Sequence, residues 1–159
     1  MYKYRTFGAS CLILLSSFFL GSCQQAQDDS AFWLLNGEKR QLQDYDGGWL
    51  LINFWAEWCR PCLEEVPDLN RLHQPSGKPG LTVVAFSYEQ ETSEKLRSAQ
   101  QRYQMEYPLV LSDPIPRVPF AMPNKLPAFY LRHPNGELFG PYFGKKALLQ
   151  VKDEIKRLE

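Results

Sequence analysis

Leu50-Leu51-Ile52-Asn53-Phe54-Trp55-Ala56-Glu57-Trp58-Cys59-Arg60-Pro61-Cys62 joins an apolar run to a Cys-x-x-Cys pair. Residues 50–55 are apolar except for Asn53, a pattern typical of a strand buried on both faces. If a helix begins at about Cys59, the two cysteines lie at i and i+3 on one helix face, with Cα atoms roughly 5 to 6 Å apart. A disulfide between Cys59 and Cys62 is then predicted to close with little backbone movement.

The two thiols are predicted to have different roles. Cys59 would lie against unpaired backbone N–H groups at the positive end of a helix, which favour thiolate over thiol, so Cys59 is the predicted nucleophile. Cys62, one turn deeper and better covered, would attack the mixed disulfide and release the substrate as a thiol. Pro61 would lie in the first helical turn, where its missing N–H costs nothing.

A static role for the pair is the alternative. A short Cys-x-x-Cys loop removes little entropy from the unfolded chain, so the disulfide would be a weak staple. A zinc site needs four ligands, and His73 and His133 have no ligand-like spacing to the cysteines or to each other. A redox pair is therefore favoured, with no metal and no cofactor.

The N-terminus is predicted to be an export signal. Lys3 and Arg5 precede an apolar stretch from Phe7 to Leu20, which is of signal-peptide length and short of the roughly 20 residues that span a bilayer. Leu20-Gly21-Ser22-Cys23 follows and resembles the lipobox of bacterial lipoproteins, in which the cysteine is acylated and becomes the new N-terminus. By that resemblance residues 1–22 are removed and residues 23–30 form a lipidated tether.

Lipidation at Cys23 leaves a simple set of thiols. Cys11 departs with the signal peptide, so Cys59 and Cys62 remain as the free thiols of the mature chain. The alternative is an ordinary secretory signal that leaves a soluble protein with a free Cys23.

Gln24 stands where an aspartate would resemble an inner-membrane retention signal, so sorting to the outer membrane is weakly favoured. Export also brings the thiols to a compartment in which disulfides persist.

Charge excludes one class of partner. The sequence has 18 basic and 18 acidic residues, and removal of Lys3 and Arg5 with the signal peptide leaves 16 basic residues against 18 acidic ones. A mildly acidic chain without a basic stripe is not expected to bind nucleic acid.

Residues 31–159 are predicted to form one α/β domain, because strand and helix patterns alternate and no internal repeat divides them. The predicted strands are Leu50–Trp55, Leu81–Phe86 and Tyr107–Leu111, together with a hairpin of Phe32–Leu35 and Arg40–Leu42 about Asn36-Gly37 and a hairpin of Ala128–Arg132 and Glu137–Phe143. The predicted helices are a cysteine-bearing helix that runs to about Gln74 and is kinked at Pro67, a helix from Thr92 or Ser93 to Tyr103, and a closing helix through Leu148 and Leu158.

With these positions in hand, residues 31–159 resemble the thioredoxin superfamily, and within it the extracytoplasmic, membrane-tethered TlpA and ResA type. Residues 53–62 are the closest match, Pro67 matches the proline that kinks the active-site helix, and Leu126-Pro127 matches the cis-proline loop. The resemblance implies a thioredoxin-like fold with a central mixed β-sheet flanked by helices. It also implies that Pro127 lies beside the sulfurs while Leu126 presents its backbone to a substrate segment.

Two departures from thioredoxin bear on the mechanism. Asn53 stands where thioredoxin has a buried Asp that moves protons to and from the second cysteine, and Asn cannot titrate. In the ResA-like group a Glu three residues after the second cysteine resembles a substitute, which here is Glu65. The proline-rich segment 113–123 replaces a short helix usual in the family and is predicted to be extended. Trp58 is predicted to be exposed as an apolar surface for protein substrates.

The expected function is that of a tethered thiol–disulfide oxidoreductase. The resemblance implies a reductant of protein disulfides, for instance of cysteines awaiting haem attachment or metal loading, with electrons supplied by a membrane partner. An oxidant that introduces disulfides remains open, because the redox potential is not readable from the sequence. A copper-delivering chaperone like the Sco proteins would resemble a CxxxC with a distant His, and a peroxide-reducing enzyme would need a cysteine in a different motif.

Overall fold

The structure is a computed structural model that describes residues 30–77 and 80–158. The predicted signal peptide, Cys23 and the tether before Ser30 lie outside these residues. Within the described part of the chain, no helix combines the length and the apolar composition that a membrane crossing would require.

A five-stranded mixed sheet forms the centre of the domain. Its strands are β3 (Trp49–Trp55), β4 (Leu81–Ser87), β5 (Leu109–Val110), β6 (Ala128–Arg132) and β7 (Leu138–Phe143), in the order β5-β4-β3-β6-β7. Strand β3 runs parallel to β4 and antiparallel to β6, and β4 runs parallel to β5. A second, two-stranded sheet pairs β1 (Phe32–Trp33) with β2 (Lys39–Arg40).

In the described part of the chain, four α-helices accompany the sheet: α1 (Arg60–Glu64), α2 (Val66–Leu72), α3 (Ser93–Arg102) and α4 (Ala147–Leu158). Alternate residues of β3 enter two hydrophobic clusters on the two sheet faces, because successive strand side chains point to opposite sides. Leu51 and Trp55 pack with Leu69 of α2 and Val151 of α4 in one cluster, which also contains both cysteines. The thioredoxin-like α/β architecture predicted from the sequence is therefore confirmed.

Several element boundaries differ from the sequence prediction by one or two residues, and the larger differences are described here. Leu42 belongs to a 3₁₀ turn, Leu42–Tyr45, and not to the second hairpin strand. The third predicted strand shrinks to Leu109–Val110, because only Ala85 and Phe86 of β4 pair with it. The cysteine-bearing helix is divided into α1 and α2 at Glu65 instead of kinking continuously at Pro67.

The helix division has a local cause. Pro67 has no N–H, so the carbonyl of Leu63 loses the donor that a continuous helix would supply. The N–H of Glu65 donates to that carbonyl instead, and Glu65 serves as both the C-cap of α1 and the N-cap of α2. The division therefore places Glu65, one turn after Cys62, at the junction of two short helices.

Candidate active site

The candidate site lies at one edge of the central sheet. Parallel strands β3, β4 and β5 all end at this edge, and the antiparallel strand β6 begins there. The pairing of Phe54 with Ala128 sets the register, so Pro127 falls opposite Trp55 at the strand end that leads to Cys59. The sheet thus brings two segments that are more than 60 residues apart in the sequence to one edge.

Cys59 and Cys62 form the predicted disulfide, with their Cα atoms 5.3 Å apart. Cys59 is the N-cap of α1, and its Sγ accepts the backbone N–H of Cys62 at 3.3 Å. Both residues are almost fully buried, Cys59 with 4% of its surface exposed and Cys62 with 2%. The expected difference in depth between the two cysteines is therefore small in this disulfide-bonded state.

The chain around the cysteines is short and tightly turned. Pro61 lies within the first two positions of α1, where no hydrogen-bond donor is lost. The N–H of Cys59 donates to the carbonyl of Ala56 at 3.0 Å, which closes the turn between β3 and α1. Arg60 and Glu64 pair across the solvent face of α1 at 2.9 Å, with both side chains exposed.

Trp58 is the most exposed large apolar side chain at this edge. Its exposed fraction is 61%, whereas Trp55 on β3 is only 2% exposed. The Trp58 ring meets Tyr88 edge to face, with the ring centroids 6.4 Å apart. Trp58 therefore presents an apolar surface next to the disulfide while its edge rests on the residue that follows β4.

Leu126 and Pro127 form the loop that enters β6. Their peptide bond is cis, and Pro127 is buried while Leu126 is half-buried. Leu126 packs against both hydrophobic clusters, including the one that contains Cys59 and Cys62. The carbonyl of Pro127 accepts the N–H of Gly144 at 3.0 Å. The structure therefore brings this loop to the same edge as the cysteines.

Glu65 is half-buried, and both of its carboxylate oxygens are buried without a hydrogen-bond partner among the described residues. Burial raises the pKa of Glu65 to about 7, because removal from water disfavours the charged form. Asn53, on β3, is 2% exposed and its Oδ1 also lacks a partner within the described part of the chain. A carboxyl group that titrates near neutral pH can exchange a proton with a nearby thiol.

One buried polar side chain in the hydrophobic cluster of the two cysteines was not identified from the sequence. Tyr107 is 1% exposed, and its hydroxyl has no hydrogen-bond partner among the described residues. The sequence pattern predicts that Tyr107 begins a strand, and aromatic residues are common in strands. A hydroxyl in a predicted apolar strand was the available signal, since buried hydroxyls normally have a partner.

The two histidines are engaged with the backbone. Nδ1 of His73 accepts the N–H of Val83 at 3.1 Å, and Nδ1 of His133 accepts the N–H of Asn135 at 3.1 Å. His133 also packs edge to face against Trp49. Across residues 30–77 and 80–158, no three side chains of His, Cys, Asp or Glu are grouped as metal ligands would be.

Comparisons with known proteins agree with this fold. Residues 24–119, more than half of the chain, match the model of the AhpC/TSA family. The thioredoxin-like protein YneN of Bacillus subtilis is 35% identical over 89 residues, which cover 55% of this chain and 52% of YneN. The match thus spans about half the length of that relative.

Two further similarities cover more of the chain. The thiol-disulfide oxidoreductase ResA of Bacillus thuringiensis is 24% identical over 124 residues, 78% of this chain and 71% of ResA. A secreted Mycobacterium tuberculosis disulfide oxidoreductase, homologous to Escherichia coli DsbE, superimposes with a TM-score of 0.60 at 18% identity, over 78% of this chain and 92% of that one. The similarity to the Mycobacterium tuberculosis structure supports the assignment of the fold.

Proposed function

This chain belongs to the AhpC/TSA family, and we propose that it is a thiol–disulfide oxidoreductase that reduces protein disulfides through the Cys59–Cys62 pair. One observation carries the proposal: the two cysteines form a disulfide at a strand-to-helix junction, and Cys59 Sγ accepts the backbone N–H of Cys62. In the reduced protein, an N–H aimed at sulfur stabilises a thiolate over a thiol. The names of the relatives ResA and YneN support the same chemistry.

The proposed reaction has two exchange steps. The Cys59 thiolate attacks one sulfur of the substrate disulfide, forms a mixed disulfide and releases the other substrate sulfur as a thiolate. The Cys62 thiolate then attacks Cys59 Sγ, forms the intramolecular disulfide and releases the second substrate sulfur. Two electrons pass from the protein dithiol to the substrate, and the disulfide seen in the structure corresponds to the product state.

Glu65 supplies the proton transfer in this proposal. The Cys62 thiol is buried, so it needs a local acceptor for its proton before it can attack. Glu65 follows one turn later, and burial raises the pKa of its carboxyl group to about 7. The carboxylate takes the proton from Cys62 during resolution and returns it when the disulfide is reduced again.

Trp58, Pro61, Leu126 and Pro127 form the proposed substrate-binding surface. The exposed Trp58 ring supplies apolar contact, and Pro61 lies between the cysteines on the same turn. The backbone of Leu126 and Pro127, which enters β6 at the same edge, pairs with an extended substrate segment. Main-chain pairing would make recognition permissive, so that several protein disulfides can be accepted.

The proposed location is the bacterial cell envelope. The signal-peptide pattern and Leu20-Gly21-Ser22-Cys23 support export to the periplasmic side and lipid anchoring at Cys23. A membrane partner would return electrons to the Cys59–Cys62 disulfide after each turnover. Cysteines awaiting haem attachment or metal loading are the proposed substrates, and Gln24 favours anchoring in the outer membrane.

The opposite direction of electron flow is a second candidate. The N–H that donates to Cys59 Sγ stabilises the thiolate, and a stabilised dithiol makes its disulfide a stronger oxidant. Equilibration with glutathione separates the two: a reductant is expected near the potential of thioredoxin, about −270 mV, and an oxidant near that of DsbA, about −120 mV.

Trapping tests the proposed chemistry. Incubation of the Cys62→Ala variant with a disulfide-bonded peptide should yield a stable adduct of protein plus one peptide half in intact-mass analysis, because no thiol remains to resolve it. The Cys59→Ala variant is the matched control and should give little adduct, since the backbone N–H that stabilises a thiolate is directed at Cys59 Sγ. Equal adduct formation by both variants, or none by either, would contradict the assignment of Cys59 as the nucleophile.

A further inference from the structure

Tyr107 carries a buried hydroxyl within the hydrophobic cluster that contains the proposed redox centre. It lies in the same hydrophobic cluster as Cys62, Val66 and Leu69. Its ring is 1% exposed and its hydroxyl lacks a hydrogen-bond partner among the described residues. Buried hydroxyls normally have a hydrogen-bond partner, so a bridging water is expected at this hydroxyl.

Hydrogen bonds from two helices hold the segment that carries Tyr107. Nε2 of Gln100, on α3, donates to the Tyr107 carbonyl at 3.2 Å. Asn70, on α2, donates to the carbonyl of Gln104 at 2.7 Å and accepts the N–H of Glu106 at 3.0 Å. The backbone before the ring is therefore tied to α2, the helix that begins immediately after Glu65.

Tyr107 and the chain next to Glu65 belong to one part of the core, since Tyr107 shares a hydrophobic cluster with Val66, the residue that follows Glu65. Burial and, after it, the negative charge of Glu65 raise the pKa of the Tyr107 hydroxyl. Both carboxylate oxygens of Glu65 are buried and lack a partner within the described residues, as the Tyr107 hydroxyl does. An ionised carboxylate can only accept hydrogen bonds and a protonated tyrosine has one to donate, so the two groups are chemically complementary.

We propose that Tyr107 is a positioning residue whose hydroxyl donates a hydrogen bond, through one buried water, to the ionised Glu65 carboxylate and so sets the pH at which Glu65 exchanges a proton with Cys62. The proposal rests on the thiol–disulfide exchange proposed above. Bridging by water is physically reasonable here, because a buried water needs at least two polar partners and the three unpartnered oxygens supply them. Tyr107 itself does not contact the reacting sulfurs in this role.

Other titratable groups lie on the neighbouring helices and loops and along the cavity that Tyr107 lines. They are Arg60 and Glu64 on α1, Asp68 and Arg71 on α2, Lys152 on α4, Arg97 and Arg102 on α3, Glu57 in the loop after β3, and His73 and Glu106, which line a surface cavity of about 300 Å³ together with Tyr107. Arg60 pairs with Glu64, Asp68 with Arg71 and Lys152, and Arg102 with Glu57. Burial, and none of these charges, accounts for the raised pKa of Glu65.

The Tyr107→Phe variant tests the proposal in the oxidised protein, where the thiols do not titrate. We expect the pKa of Glu65, followed by the NMR shift of its carboxyl carbon, to rise by about one pH unit, because the lost hydrogen bond stabilises the ionised form of the carboxyl group. Tyr103→Phe, which removes a half-buried tyrosine hydroxyl at the end of α3, is the matched control and should leave the Glu65 titration unchanged.

A measurement on the unmodified protein avoids dependence on the folding of a variant. The hydroxyl-bearing ring carbon of Tyr107 should shift with the same midpoint as Glu65 if the two groups are linked. A Tyr107 signal that does not follow Glu65, or an unchanged Glu65 titration in folded Tyr107→Phe, overturns the proposal. Neither titration requires turnover. If peptide trapping fails while the Tyr107 signal still follows the Glu65 titration, the exchange function is rejected, but the link between Tyr107 and Glu65 is not.

Discussion

Cys59 combines two tasks in one sulfur atom. Its Sγ caps α1 by accepting the N–H of Cys62, and the same sulfur is bonded to Cys62 in the disulfide. In the proposed mechanism the cap persists on reduction, so that the freed thiolate keeps a hydrogen-bond donor. The proposed roles of nucleophile and resolving thiol therefore rest on which sulfur receives the backbone N–H, and not on a difference in burial.

Glu65 is expected to control the pH dependence of the resolving step. In Glu65→Gln, the rate at which Cys62 resolves a mixed disulfide should lose its inflection near pH 7 and fall by about tenfold or more at that pH, because the local proton acceptor is gone. Stopped-flow kinetics with a preformed mixed disulfide measures this rate. Glu64→Gln is the control, since that carboxylate is exposed and paired with Arg60; an equal change in both variants would refute the assignment.

Glu65 also links stability to pH in the oxidised protein. The folded-state pKa of about 7 lies above the ordinary value of 4.5, so between these two pH values the folded protein retains a proton that the unfolded chain releases. Stability from this group is therefore fully present below about pH 4.5 and is lost as the pH rises through 7. Urea unfolding at pH 5 and pH 8 should show a smaller decline for Glu65→Gln than for the unmodified protein. An identical decline would mean that Glu65 is not desolvated.

At the scale of elements, the division between α1 and α2 gives the site its shape. α1 positions Cys62, and α2 anchors the pair to the sheet through Val66 and Leu69. In a continuous helix, residue 65 would be an ordinary interior position. Here Glu65 is instead the C-cap of α1 and the N-cap of α2. The backbone of Glu65 is thus fixed between two short helices, and each of these helices packs on the core.

Leu69 is expected to be the main anchor of α2. It is 0% exposed, so Leu69→Ala should lower the free energy of unfolding by about 2–5 kcal/mol through lost burial and the cavity left behind. Leu149 on α4 is 57% exposed, and Leu149→Ala should change stability by no more than about 0.5 kcal/mol. Denaturant unfolding of both variants checks the prediction, and similar losses would show that α2 is not held through this side chain.

At the scale of the whole molecule, the sheet gathers residues that lie far apart in the chain. The junction after β3 supplies the cysteines, the residue after β4 supports Trp58, and the loop before β6 supplies Leu126 and Pro127. The proposed lipid anchor would add a constraint on the complete protein, because it keeps this edge close to a membrane surface and so limits the substrates that it meets.

Membrane attachment is expected to depend on Cys23 alone. In Cys23→Ala, the protein should move from the membrane pellet and the detergent phase to the soluble fraction, because the acylated residue is missing. Cys11→Ala is the control, since Cys11 lies within the predicted signal peptide and should not alter fractionation. Retention of the Cys23→Ala protein in membranes would reject the lipoprotein assignment.

The sequence alone was sufficient wherever a signal is local. The apolar run of β3, a cap of α3 at Thr92 or Ser93, the Asn36-Gly37 turn and the placement of Cys59 and Cys62 one turn apart all follow from short-range geometry; the structure confirms them and selects Thr92 as the cap. Tertiary packing decided what depends on distant segments: the two-residue length of β5, the near-equal burial of the two sulfurs, the desolvation of Glu65 and the burial of the Tyr107 hydroxyl. Burial is a property of contacts between elements, and the side-chain oxygens of residues 65 and 107 become buried only once the helices and the sheet have packed together.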